Sequence, residues 1–204
     1  MNRSIFLPRL LTSFFMIAMF AATGLAQSDT RPTPDRDLDI TLQVLTATTD
    51  PVATNDIPAN LLPIAKHLKA ELRIANLRLA GTYVGRTSTS GGFEYKSISE
   101  SLLPVADGEP PTFFEWSLNG IRMGSGGIYA QSFRFGSRIA VKTTGLVAES
   151  GKSVPIFNYE WIGLNTGRIG IPEDQPIVLG SLSLPKNNST LFLILTVRGG
   201  PVAI

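Results

Sequence analysis

Leu191-Phe192-Leu193-Ile194-Leu195 has no polar face. A strand that shows water one face alternates apolar and polar residues, so this segment reads as a central strand covered on both sides. The fold therefore needs a sheet with a layer above it and a layer below. Ile177 to Leu184 precedes it across a turn at Pro185 to Ser189, which completes a final strand pair.

The layers can be found upstream. Leu38, Ile40, Leu42 and Val44 alternate with Asp39, Thr41 and Gln43, the period of a strand. After a loop from Asp50-Pro51 to Asp56, Asn60 to Arg73 reads as a helix. Its apolar face is Leu61, Ala65, Leu68 and Leu72, with Lys66, Lys69 and Arg73 elsewhere. Asn60 is expected as N-cap, which puts Pro63 in the first turn, where a missing N–H has no helical partner to lose.

Strand patterns then return. Leu77, Leu79 and Tyr83 alternate with Arg78 and Thr82, and Phe93 and Tyr95 with Glu94 and Lys96. Phe114, Trp116 and Leu118 lead into Asn119-Gly120, followed by Ile121 and Met123. Asn-Gly between such runs predicts a two-residue hairpin. Gly124 to Gly127 breaks the next strand. Tyr129, Gln131, Phe133 and Phe135 share one parity with Arg134 opposite. Ile139 and Val141 alternate with Arg138 and Lys142. Turns are expected at Glu149 to Ser153 and Asn165 to Gly170, around an aromatic-rich strand from Ile156 to Leu164. About nine or ten short strands and one helix result. The expected fold is mainly β (α+β): an antiparallel β-sandwich or curled sheet with one amphipathic helix packed on it.

The N-terminus reads as an export signal. Arg3 and Arg9 precede the apolar run Leu10 to Ala22, and Gly24-Leu25-Ala26 fits a small-x-small cleavage site. Residues 1–26 are thus the expected signal peptide, 27–37 a flexible lead-in with Pro32 and Pro34, and 38–204 a single β-rich domain. The apolar run is short for a spanning helix, which needs ~20 residues. The destination is periplasmic or secreted, in a bacterium. Two of the 18 Lys and Arg lie in the signal, and all 16 Asp and Glu lie after it. The mature chain is therefore near neutral, which excludes a basic nucleic-acid footprint. No cysteine is present, so there are no disulfides, thiolate metal ligands or Cys nucleophiles.

Few residue types remain for chemistry. Gly151-Lys152-Ser153 invites a phosphate-loop reading, but Gly145 and Gly151 enclose one residue too many and no helix follows. His67 is the only histidine and falls roughly 60° beyond the helix's apolar stripe; one His builds no metal site. Glu94, Glu100, Glu115 and Glu160 are the carboxylates in or near strands. A glycosidase would need two of them about 5–10 Å apart across a cleft. Glu115 and Glu160 each neighbour a tryptophan, and a sugar ring stacks well on such a side chain. Trp116, Tyr159 and Trp161 are the candidate ligand-binding residues, within the aromatic parity Phe157, Tyr159, Trp161. Phe113 and Phe114 are consecutive, so they face opposite sides of their strand. Asn187-Asn188-Ser189 and Asn188-Ser189-Thr190 match the glycosylation acceptor pattern, without meaning in a bacterium. No cofactor and no metal are expected.

The pair Ile177-Val178-Leu179-Gly180-Ser181-Leu182 and Leu191 to Thr196 resembles the end of a bacterial secretin domain, where an apolar strand reaching a glycine is followed by a Leu/Ile-rich strand. The strand, helix, strand order over Leu38 to Tyr83 is also similar to small periplasmic modules of secretion machines. The double-glycine signature and the proline segment of a secretin are missing between the last strands, which argues against a pore-forming secretin. The expectation is a non-enzymatic envelope protein that binds another protein, as an accessory of a secretion or surface assembly. The alternative is a carbohydrate-binding module, and the second alternative a carboxylate-dependent hydrolase. The partner is then an envelope protein or a glycan.

Overall fold

The computed structural model describes residues 35–48, 56–98, 110–124, 126–147, 153–184 and 189–200. The expected signal peptide, most of the lead-in, Glu100, Gly151-Lys152 and the two glycosylation asparagines lie outside the described residues. No helix among the described residues is long and apolar enough to cross a membrane.

Two open antiparallel sheets and one helix make up the described fold, a β-sandwich with a helix on one side. The first sheet contains β1 (Asp37–Thr48), β2 (Asn76–Ser88), β8 (Ile177–Ser183) and β9 (Thr190–Gly199), in the order β2-β1-β9-β8. The second contains β3 (Phe93–Ile98), β4 (Phe113–Asn119), β5 (Arg122–Gly124), β6 (Gly127–Val147) and β7 (Ser153–Ile171). Within it β4 pairs with β3 and β6, and β6 also pairs with β5 and β7.

The apolar strand is central, as its composition requires. β9 lies between β1 and β8. Leu191, Leu193, Leu195 and Val197 join Leu38, Ile40, Leu42 and Val44 of β1 in the core between the sheets, against Phe114, Trp116, Leu118, Phe133 and Phe135. Phe192 and Ile194 face the other way and meet the helix α1 (Leu62–Leu72) through Ala65 and Leu68. Each such buried side chain contributes about 1.5–3 kcal/mol. Both layers predicted from Leu191–Leu195 are therefore present.

Four local expectations are corrected. First, Asn60 does not cap the helix. Its Nδ2 donates to Gln43 Oε1 at 3.2 Å, and a 3-10 turn, Ala59–Leu61, leads into α1. Pro63 does fall in the first turn. Second, Leu72 is 54% exposed, because the helix ends there and Arg73 takes a left-handed conformation.

Third, Asn119-Gly120 makes no hairpin. β4 pairs with β6 down to Asn119↔Ser132, and β5 resumes in the same register at Arg122↔Tyr129. Gly120 has a φ of 63°, whereas Asn119 is not left-handed, so the double positive φ of a type I′ turn is lacking. The interruption turns the strand over instead: Leu118 and Ile121, three residues apart, both enter the core. The same inversion occurs on β6, where Ala130 and Phe133 are both buried and Tyr129 and Gln131 face out. Tyr129 and Gln131 therefore do not share a face with Phe133 and Phe135. Fourth, Asn165 to Gly170 is not a turn. β7 runs through it to Ile171, and Arg168, at φ 47°, supplies the matching inversion opposite Gln131.

Candidate functional site

The outer face of the second sheet is the side away from the sandwich core. Its chemistry follows from register. Lys96, Glu115, Gly136 and Gly163 stand in one row across β3, β4, β6 and β7. The next outward row is Ile98, Phe113, Arg138 and Trp161, and the row on the other side holds Glu94, Ser117, Arg134 and Asn165. Two adjacent glycines leave a gap in the sheet surface. The indole of Trp161 fills it, lying against both Gly136 and Gly163.

Two guanidiniums flank this indole. Arg134 Cζ is 5.2 Å and Arg138 Cζ 5.9 Å from its centroid, within the range of cation–π attraction. Both arginines are exposed and neither is ion-paired among the described residues. Lys96 is occupied, with its Nζ 2.8 Å from Glu94 and 3.9 Å from Glu115. That pairing pulls the Glu94 carboxyl below its ordinary range and raises Lys96, while Arg138 nearby pushes the Lys96 value back down.

Around the indole the face forms two adjoining shallow grooves. One, of ≈ 410 Å³, is lined by Glu115, Arg134, Arg138, Tyr159 and Trp161. The other, of ≈ 470 Å³, continues over Phe113, Ile98 and Lys96. Tyr159 and Phe113 meet at 5.8 Å with their rings tilted by 56°, and Tyr159 donates its hydroxyl to the Pro111 carbonyl at 3.1 Å.

The three candidate residues separate. Trp161 is 42% and Tyr159 45% exposed, on the outer face; Trp116 is 1% exposed in the core, against Phe93 and Phe133. Phe114 is buried and Phe113 exposed, as their adjacency requires. Of the described carboxylates, Glu115 alone reaches the grooves beside Trp161. Glu160 pairs with Ile139 and so belongs to the opposite parity. Among the described residues no three His, Cys, Asp or Glu side chains come together. His67 is exposed on α1.

Sequence reasoning missed Arg134 and Arg138, although a signal was present. Arg-x-Gly-x-Arg over 134–138 keeps all three residues on one face of a strand, and Trp-x-Gly over 161–163 does the same.

A second feature is the length of β6 and β7. β4 stops pairing at Phe113↔Arg138, while β6 and β7 pair on to Val147↔Ser153. A two-stranded ribbon therefore continues for about 30 Å beyond β4. Among the described residues, the ribbon has no further strand on either edge, and β7 pairs with β6 alone along its whole length.

No family model matches this sequence, and no curated protein is similar to it. Among solved structures, the chain is similar to the secretin InvG of the Salmonella SPI-1 type III secretion injectisome (residues 176 to the end, open gate state). Identity is 9% and the TM-score 0.34, over 95% of this chain and 66% of that one. A likeness of that degree says nothing of function, and the chain spans just under two thirds of that structure's length.

Proposed function

We propose that the chain is an exported, non-enzymatic envelope protein that binds another protein by accepting a strand, as an accessory of a secretion or surface assembly. The observation that carries this reading is the β6–β7 ribbon, whose edges are unpaired among the described residues. An uncovered edge presents a row of N–H and C=O groups, and a partner strand is the usual way to satisfy them. A hydrolase is disfavoured because Glu160 sits on the opposite parity from Glu115, while Glu94 and Glu115, which share a face, are both engaged by Lys96 and not set across an open cleft.

Photo-cross-linking in the intact envelope tests it. Cross-linkers along β7, at Asn158 and Glu160, are expected to capture one envelope protein at stoichiometric yield. A cross-linker at the exposed Leu62 of α1 is expected to capture none. Phe157→Pro, at the same parity as the native Pro155 of this strand, removes an edge N–H and is expected to abolish capture with the circular dichroism unchanged. Equal capture from α1, or recovery of the chain alone, sinks the proposal.

A second reading, carbohydrate binding, is favoured by one observation. Trp161 is held over Gly136 and Gly163 with two-fifths of its surface open to solvent. The aromatics beside it are not coplanar, so any sugar would stack on Trp161 itself.

A further inference from the structure

We infer that the groove around Trp161 is a binding site for an acidic glycan, in which the indole stacks on a uronic acid ring and Arg134 and Arg138 hold its carboxylate. The inference rests on the carbohydrate reading and narrows it to one class of ligand.

The charge balance of the groove selects an anion. Among the described residues the groove around Trp161 holds two guanidiniums and one carboxylate, Glu115, and that carboxylate already faces Lys96 at 3.9 Å. Among the described residues no ion pair engages the guanidinium of Arg134 or Arg138, each of which lies against the indole. A guanidinium without a carboxylate is suited to take one from a ligand through paired N–H···O bonds.

The surface selects a ring. Trp161 is settled over Gly136 and Gly163 and is thereby pre-positioned, so little ordering cost remains for stacking. A uronic acid offers an apolar C–H face for the indole and a carboxylate at the ring's edge. Its hydroxyls can donate to Glu115, which is partly exposed beside the indole.

The backbone disfavours a peptide here. Gly136 lies mid-sheet, paired with Glu115 on one side and Gly163 on the other. Its peptide groups are committed, and strand addition is not available on this face. An acidic peptide would depend on charge alone.

Calorimetric titration of the purified protein tests the inference with three probes: an alginate oligosaccharide, the same oligosaccharide with its carboxyls reduced to alcohols, and polyglutamate. Alginate is expected to bind, and the other two far more weakly. Trp161→Ala is expected to abolish the alginate signal. Arg134→Ala with Arg138→Ala should weaken it at least ~10-fold, about 1.4 kcal/mol, and the corresponding lysine pair by less. All these positions are exposed, so circular dichroism should not change. Equal binding of the reduced oligosaccharide overturns the acidic specificity and leaves the carbohydrate reading standing. Equal binding of polyglutamate overturns the ring recognition. Binding of none of the three overturns both readings of this groove.

Discussion

The indole of Trp161 occupies the space that a side chain at Gly136 would take. A Cβ built on Gly136 would clash with Cζ2 and Cη2 of the indole's six-membered ring. Gly136→Ala is therefore expected to displace the ring. Because the atoms met are at the far end of an exposed side chain, the ring can swing out, and the stability cost should stay near or below about 1 kcal/mol. The change belongs to the indole: its emission should shift to longer wavelength, and alginate binding should weaken. Unchanged fluorescence together with unchanged binding would show that Gly136 does not seat Trp161.

The two Glu-Trp pairs, Glu115-Trp116 and Glu160-Trp161, look alike in sequence and should behave in opposite ways. Trp116 is buried among Phe93, Tyr95 and Phe133, so Trp116→Ala should cost about 3–5 kcal/mol. Trp161→Ala should cost less than about 1 kcal/mol. Trp116 Nε1 also lacks a hydrogen-bond partner among the described residues, so Trp116→Phe removes an unsatisfied buried donor and should cost clearly less than the alanine variant. Urea denaturation of the three variants checks this; similar losses for both alanine variants would contradict the burial difference.

That contrast also marks what could be read from the sequence. The period of two and the unbroken apolar run Leu191–Leu195 specify a sheet with two covered faces, because burial on both sides is a property of composition alone. The helix was legible for the same reason. Which tryptophan is exposed was not, since the parity of each strand is fixed by where it inverts. Those inversions involve Gly120 and Arg168. Local turn chemistry at Asn119-Gly120 points to a hairpin, and the long pairing of β4 and β5 with one strand, β6, overrides it. The arginines of the groove escaped notice because they join Trp161 only through the register of β6 with β7.

A pH effect is expected at the start of the described chain. Asp35 accepts hydrogen bonds from Ser90 Oγ at 2.7 Å, Thr89 Oγ1 at 2.8 Å and the Ser90 amide at 3.1 Å. The Ser90 hydroxyl first, then Thr89, hold its carboxyl below the ordinary aspartate value. A depressed folded-state pKa gives stabilisation that is complete above the unfolded value and is lost as pH falls through the folded one. The contact between Asp35 and the β2–β3 turn should therefore persist through neutral pH and release only below the usual carboxylate range. Titration of the Asp35 carboxyl and the Ser90 amide by NMR should give one common, lowered midpoint. Asp35→Asn should remove that transition from the Ser90 amide. A midpoint at the ordinary aspartate value would refute the pairing.

Gly120 and Asn119 offer a test of the sheet inversion itself. Gly120 is left-handed, at φ 63°, and a Cβ there would also approach the Gln131 side chain at 2.6 Å. An L-residue in this conformation costs about 1–2 kcal/mol, so Gly120→Ala should lower stability by that amount. Shortening the neighbour in a Gly120→Ala, Gln131→Ala double variant should not restore it, because the penalty lies in the backbone. Asn119 keeps ordinary strand geometry, and its side chain makes one exposed contact, Nδ2 to Ser117 Oγ at 3.3 Å. Asn119→Ala should therefore cost under about 0.5 kcal/mol. A type I′ hairpin would require positive φ at both positions and would penalise both substitutions. Denaturant midpoints of the two single variants thus separate a hairpin turn from a strand that turns over while staying paired. Equal losses would mean that β4 and β5 do not share β6 as a common partner.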